Sequence, residues 1–279
     1  MPPSLAVLPT VERLSPICIR ILGGNPGKFT LQGTNTYLLG SGKRRILLDT
    51  GEGKPAWAAS LRSVLEQEKA DIDIVLLSHW HGDHVGGIVD VQAIASKAKI
   101  YKNNPAVGQH AIHDGQIFTA EGVTLVASHT PGHTSDHMVF LVKEEDAMLT
   151  ADNVLGHGTA VFENLRVYLQ SLHKMQCLFQ GRAYPGHGPV INDGPGKIAE
   201  YIEHRRQREE QVIQTMRSSP TTATWLVGDI VKIIYHDVPV ELHPAAAQGI
   251  IQILSKLTEE GRVQKVDAER WQLSNRATL

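Results

Sequence analysis

The chain has 279 residues, 42% of them hydrophobic, and a formal net charge of −2. That is enough apolar content for one large domain, or one domain with a small appendage, and the near balance of charge supplies no global field toward nucleic acid or an anionic membrane. No run approaches the ~18 consecutive apolar residues of a membrane span, and the opening "MPPSLAVLPTVERL" lacks the basic start of a secretory signal.

In chain order, "ICIRILGG", "NTYLLG" and "RRILLDTG" read as short strands separated by glycine-rich turns. "PAWAASLRSVLEQEKA" has helical periodicity with Pro55 at its start. "DIVLLS" is a continuous apolar run, the pattern of a strand buried on both faces. Residues 86–97 read as helix and "AKIYKN" as a strand. "VTLVAS", "MVFLV" and "AMLTAD" are further strands, "FENLRVYLQSLHKMQCLF" an amphipathic helix, and "RAYPGHGPV" a short strand entering a loop. This alternation predicts an α/β sandwich with helices outside. Cys18 and Cys177 lie far apart without metal-type spacing. Both read as small buried hydrophobes in a reducing, cytoplasmic setting.

Beyond Pro195 the character changes. "KIAEYIEHRRQREEQVIQTMRSS" predicts a long charged helix with an apolar stripe; helices at about 222–235 and 243–258 follow, and "GRVQKVDAERWQL" reads as a hairpin. Two helices and a hairpin resemble a winged helix. Residues 201–279 carry ten Lys/Arg and ten Asp/Glu, however, so the basic footprint of a nucleic-acid reader is missing. Packing on the main domain or walling a substrate pocket is the favoured role. The cluster "HRRQR" at 204–208, followed by Glu209 and Glu210, reads as a solvated helix face with intrahelical pairs or as a small anion-binding patch at Arg205 and Arg208.

The densest chemistry lies in "SHWHGDHVGG" at 78–87, where "DIDIVLL" ends. Residues two apart on an extended backbone point the same way, so His79 and His81 can share one metal. Asp83 and His84 follow a glycine that permits a tight turn and would face a second point nearby. Imidazoles and carboxylates suit zinc, manganese or iron. One cluster cannot complete a site of about four ligands. Further donors stand at other strand ends: His129, His133 and His137 in "HTPGHTSDH", Asp152 after "MLTA", and His187 in "YPGHG". Alone, each would be an ordinary capping or turn residue. Together they sit where several strands give way to Gly- or Pro-containing turns, which brings residues to one rim.

"HWHGDH" matches the H-x-H-x-D-H signature of the metallo-β-lactamase superfamily, and "TPGHT", "TAD" and "PGHGPVI" match its later ligand motifs in order. The resemblance implies an αββα sandwich holding two divalent metal ions. His79, His81 and His133 would hold one, Asp83, His84 and His187 the other, and Asp152 would bridge them, with Asp83 also orienting the nucleophile. "GTNTYLLG", "LLDTG", "TSDHM", "GTAVFENL" and "YIEHRRQRE" resemble the group called beta-lactamase-like protein 2, which carries a C-terminal winged-helix-like segment. A catalytic domain is thus expected over residues 1–198, with a helical segment packed on it over 199–279. Asp49 in "LLDTG" is expected to hold a ligand histidine by its N–H. "NPG" at 25–27 and "GTNT" at 33–36 are expected as loops over the site, with Asn35 and Thr36 as polar contacts. His129, His137 and His157 are placed near the pocket, and His173 and His204 on the surface.

Such a centre hydrolyses thioesters, lactams, lactones and phosphodiesters alike, so the ligands do not select the substrate. "RILGGNPGKFTLQGTNTYLLG" and "NVLGHGTAVFENL" most resemble the fungal polyketide thioesterases of this group, which implies an acyl carrier protein or polyketide synthase as partner. No insertion large enough for a dedicated carrier-docking module is evident. A single-strand-specific endoribonuclease and a glyoxalase-II-like hydrolase of small thioesters are the alternatives; the charge balance disfavours nucleic acid. An inert binding fold is disfavoured because every ligand position is filled.

Overall fold

The computed structural model describes residues 5–220 and 223–274. Seven strands form the first sheet in sequential order: β1 (Val11–Ser15), β2 (Cys18–Leu22), β3 (Asn35–Leu39), β4 (Arg44–Leu48), β5 (Asp71–Leu77), β6 (Lys99–Lys102) and β7 (His110–Ala111). The first three junctions are antiparallel. The pairs β4–β5, β5–β6 and β6–β7 are parallel, and α1 (Pro55–Glu68) makes the first crossover. Short helices α2 (Gly82–Val85) and α3 (Ile88–Ile94) follow β5. The second sheet holds β8 (Ile117–Ala120), β9 (Val123–His129), β10 (Met138–Val142), β11 (Ala147–Ala151) and β12 (Ala183–Pro185); α4 (Leu165–Gln176) separates the last two.

Strand alternation explains the layering. Tyr37, Leu39, Ile46, Leu48 and Leu76 point to one face and pack with Leu125, Met138, Phe140 and Leu149 of the second sheet. Leu38, Leu47, Val75 and Leu77 point to the other face and meet Trp57, Leu61 and Val64 of α1 and Val91 of α3. The period of two thus builds two cores from one sheet. Both parallel strands with apolar runs, β4 and β5, end at the same rim, and the polar motifs begin there.

The chain divides into two compact units. One runs to Phe162 and includes Val167–Ala199; the other comprises Glu163–Arg166 and the chain from Glu200. In the second unit, α5 (Gly194–Arg217) continues from the first; β13 (Trp225–Leu226), α6 (Val227–Ile234), α7 (His243–Glu259), β14 (Val263–Lys265) and β15 (Arg270–Leu273) follow. Its three strands are ordered β13-β15-β14, and Ile230, Ile250, Leu254, Leu257 and Val263 are buried. This is the wing and helices that the sequence pattern suggested. In the "HRRQR" cluster, Arg206 pairs with Glu203 one turn earlier and Arg208 stacks 4.5 Å over Tyr235. Glu209 leaves the cluster to pair with Lys256 and Arg262.

Several expectations shift. The expected helix at 86–97 is confined to Ile88–Ile94, preceded by the separate turn of α2. The start at 222 of the next predicted helix lies outside the described residues; α6 itself begins at Val227. β1, β7 and β8 were not anticipated, because short edge strands bury too little to show a clear alternation. Cys18 is buried, but Cys177 is exposed. Among the described residues no helix is long and apolar enough to cross a membrane.

Candidate metal centre

The rim where β4, β5, β9, β11 and β12 end carries the whole set of predicted donors. His79 follows β5 in extended chain, and His81 caps α2 (φ −59°, ψ 140°). The amide of His84 donates to His81 O at 2.9 Å. Asp83 and His84 are therefore delivered by one helical turn. Gly82 has no left-handed φ and open space where a Cβ would stand, so the glycine is not what makes this turn possible. His133 lies in the loop after β9 and Asp152 directly after β11, next to Ala151 with φ 42°. His187 follows β12.

Two donor groups form. His79, His81, His133 and Asp152 make one, and Asp83, His84 and His187 the other; within each, one ligand atom per residue lies within 4.8 Å of the rest. Asp152 faces both. Its Oδ2 is 3.6 Å from His133 Nε2, 4.0 Å from His79 Nε2 and 3.3 Å from His187 Nε2, and its Oδ1 is 3.4 Å from His84 Nε2. Gly186 keeps this approach open, since a Cβ there would stand 2.2 Å from Asp152 Oδ1.

The donors fit metal ions better than they fit one another. His81 Nδ1 lies 2.9 Å from His79 Nε2 and 3.0 Å from His133 Nε2. One neutral imidazole nitrogen cannot satisfy two others, so lone pairs converge on a common point. The buried atoms His84 Nε2 and Asp152 Oδ1 have no hydrogen-bond partner, an arrangement a cation would relieve. The far ring nitrogens are held: His79 Nδ1 by Ser78 Oγ, His133 Nδ1 by Val161 O, and His84 Nδ1 by Asp49 Oδ2 at 2.8 Å. Asp49 also accepts hydrogen bonds from the amide and hydroxyl of Ser78, each at 2.8 Å. The expected role of Asp49 is therefore realised, and it grips both groups at once.

Burial holds His79 and His81 below the ordinary imidazole range, reinforced by neighbouring histidines. Burial would also lower His84 and His187, but the Asp152 carboxylate overrides it. His84 is held well above the usual range, aided by Asp49, and His187 is pushed up to about 9. Burial would raise Asp83, yet the His187 and His84 imidazoles, each with Nε2 3.3 Å from its Oδ2, hold it well below the carboxylate range.

The other predictions divide. Asn35 and Thr36 are in β3 and do not line the site. Asn35 Nδ2 donates to Pro185 O and Gly188 O, and Thr36 Oγ1 donates to Ile21 O and accepts from Trp57 Nε1. Both are buried clasps. The neighbour Thr34 has the functional contact: its hydroxyl donates to Asp83 Oδ2 at 2.9 Å, and Asn25 holds Thr34 through two hydrogen bonds. His137 is fully buried behind Asp152, accepting from its amide on Nε2 and bonded to Thr130 Oγ1 on Nδ1. Burial keeps it neutral, as the acceptor role requires. His129 bonds Ser135 O away from the centre, and His173 and His204 are exposed.

The donors open into a cleft of about 320 Å³. His81, Asp83, His133, Asp152 and His187 form part of its lining. Its walls are Phe29, Leu31, Leu155, Ala160 and Val161 with Thr30, Gly158 and Thr159; Lys28 and His157 complete it. Phe29 and Val161 are 71% and 60% exposed.

Asp49→Asn should leave the fold intact and weaken metal binding roughly 10–100-fold, the usual cost of losing a partner behind a ligand histidine. Competition with a chelator measures this; unchanged affinity would remove Asp49 from the centre.

Comparison with known proteins agrees with this geometry. Residues 29–187 match the model of the metallo-beta-lactamase superfamily, and residues 227–271 match the beta-lactamase associated winged helix domain. The chain is 46% identical over 273 residues to "Lactamase-like protein nscB" of Arthroderma gypseum, covering 93% of this chain and 87% of that protein. It is 47% identical over 267 residues to "Lactamase-like protein vrtG" of Penicillium aethiopicum, with the same coverage. Among solved structures, a beta-lactamase domain protein from Burkholderia ambifaria superposes with a TM-score of 0.80 at 15% identity, covering 98% of this chain and 96% of that one. A metallo-beta-lactamase family protein from Thermus thermophilus gives 0.74 at 21% identity, covering 94% and 100%.

Proposed function

Since the chain belongs to the metallo-beta-lactamase superfamily, a family of metal-dependent hydrolases, we propose that it cleaves a thioester, releasing a polyketide acyl group from an acyl carrier protein. The observation that carries this reading is the lining of the cleft. Phe29, Leu31, Leu155, Ala160 and Val161 face it, and among the described residues Lys28 is its single Lys or Arg. Such walls suit an apolar or aromatic acyl group. A polyanion would need a row of cations along its phosphates, so the endoribonuclease alternative has less support.

In this reading His79, His81, His133 and Asp152 hold one ion and Asp83, His84, His187 and Asp152 the other; zinc, manganese and iron all suit these donors. When bound, the pair supplies Lewis acidity for the carbonyl and lowers the pKa of water toward ~7. The chain's own groups do the positioning. Asp83, fixed by Thr34 on Oδ2, presents its carboxylate to the cleft, where it accepts a hydrogen bond from water and orients it toward the acyl carbon. Phe29 and Val161 offer exposed apolar surface at the cleft for the acyl group to cover. A departing thiolate, with a pKa near ~8.5, needs no proton donor.

A panel of aryl thioesters, acyl-glutathione and single-stranded RNA tests the reading. The expected result is turnover of bulky aryl thioesters and no RNA cleavage at ~150 mM salt, where phosphate-dependent binding is weak. RNA cutting without thioester turnover would replace this reading with the nuclease, and a preference for acyl-glutathione with the glyoxalase-II-like alternative.

A further inference from the structure

We propose that His157 is a proton donor to the leaving group, and that it extends hydrolysis at this centre from thioesters to oxygen esters of unactivated alcohols. The inference rests on the hydrolase reading of the metal centre and goes beyond the thioester reading. Of the histidines lining the cleft, His81, His133 and His187 belong to the donor groups; His157 does not. It is half-buried, and its imidazole makes no hydrogen bond among the described residues. This sets it apart from His129 and His137, whose rings are engaged.

Its position is built into the site. The amide of Gly156 donates to His187 O at 2.9 Å. A Cβ on Gly156 would stand 2.1 Å from Pro189 O, and one on Gly188, which has φ +84°, would stand 3.0 Å from His157 N. The backbone at 156–157 therefore lies directly against the turn that carries His187. His157 is thus fixed relative to a metal donor instead of riding on a free loop.

A thioester does not use such a group, because a thiolate departs unaided. An alkoxide is about as basic as hydroxide from bulk water, whose conjugate acid has a pKa of ~16, and departs only as it gains a proton. Hydroxide adds its oxygen to the ester carbonyl carbon. As the C=O bond re-forms, the bond from carbon to the alcohol oxygen breaks, and its electron pair stays on that oxygen. The N–H proton of the His157 imidazolium moves to it. The products are a carboxylic acid and an alcohol; the acid loses its proton to solvent, and the neutral imidazole regains one.

The test uses the full-length, metal-loaded protein and one benzoyl group on a graded series of leaving groups: an N-acetylcysteamine thioester, a 4-nitrophenyl ester, a trifluoroethyl ester and an ethyl ester. Parent protein should hydrolyse all four. His157→Gln and His157→Ala should lower kcat/KM for the ethyl ester roughly 10²-fold more than they lower it for the thioester and the nitrophenyl ester, so that any general loss from the cleft lining cancels. Elemental analysis should show unchanged metal content in both variants. In histidine-labelled protein, one ring resonance that is absent from His157→Gln should shift when the product alcohol is added. Equal losses across the series, or failure of the parent to turn over the ethyl ester, would overturn the proposal. A missing ring shift would overturn contact with the leaving group. Ester hydrolysis with the expected His157 dependence but no thioester turnover would retire the thioester reading and leave this one standing.

Discussion

Asp152→Ala should cost the protein at least one of its metal ions and nearly all turnover, while Asp83→Asn should keep its metal and lose chemistry. The difference follows from geometry. Asp152 Oδ2 faces His79, His133 and His187 while Oδ1 faces His84, so removing the carboxylate takes a donor from both groups. It also leaves His84 and His187 without the charge that raises them. Asp83 lies in only one group, and asparagine preserves its shape and one oxygen. What asparagine lacks is the anionic acceptor for a water proton. The expected loss in kcat is about 10²–10⁴-fold, the range for a positioned acid–base group, with KM moving much less because the interaction matters mainly in the transition state. Elemental analysis and steady-state kinetics on the same preparations decide the matter. Full metal content in Asp152→Ala would contradict the bridging role, and an unchanged kcat in Asp83→Asn would remove that residue from the mechanism.

Metal uptake should release protons unequally from the two groups. In the metal-free chain, burial keeps His79 and His81 neutral at pH 7, so their ion binds without displacing a proton from either. His84 and His187 are raised above neutrality by Asp152, so each must lose a proton before it can hold an ion. Zinc titration calorimetry at pH 7 in buffers of different ionisation enthalpy should show close to two protons leaving by the time both ions are bound. Overall zinc affinity should climb as pH rises toward 9, where His187 loses its proton. His187 is raised from an unfolded value of about 6.5, so the stability it lends the metal-free fold is complete below that pH and is lost as pH rises through about 9. Asp83 is depressed, so its contribution is present above its unfolded value near 4 and is lost as pH falls. His79, His81 and His137 are depressed below the unfolded imidazole value, so the fold loses stability as pH falls below about 6.5 and the unfolded chain takes up their protons. The metal-free centre should therefore be most stable near about pH 6.5. Zinc uptake with no net proton release would show that Asp152 does not hold these two histidines protonated.

The set of candidate donors that the structure brings together was legible in the sequence because each donor is local to a strand end. "HWHGDH" places four donors within six residues, and His133, Asp152 and His187 each follow a strand within a few residues. Apolar periodicity identified the strands and helices that bury most surface, and these organise both cores. The winged segment was legible for the same reason.

What only the tertiary structure decided are contacts between segments far apart in sequence. Thr34 reaches Asp83 across 49 residues, and Asn35 reaches Gly188 across 153. Which residue of "GTNT" meets the centre depends on where β3 begins relative to β12, and strand register is not encoded in the side-chain pattern of either strand alone. Thr34 pairs with His187 just outside β3, and so the hydroxyl of Thr34, not that of Thr36, meets the ligand. His137 was similarly ambiguous: a histidine four residues after a ligand can be a donor or a support, and its position behind the Asp152 amide, set by the pairing of β10 with β11, makes it a support. The charges of the ligands follow the same rule. Imidazoles of one chemical type are pushed down at His79 and up at His187, because burial and the distance to a carboxylate are properties of the assembled rim, and neither exists until the strands have paired.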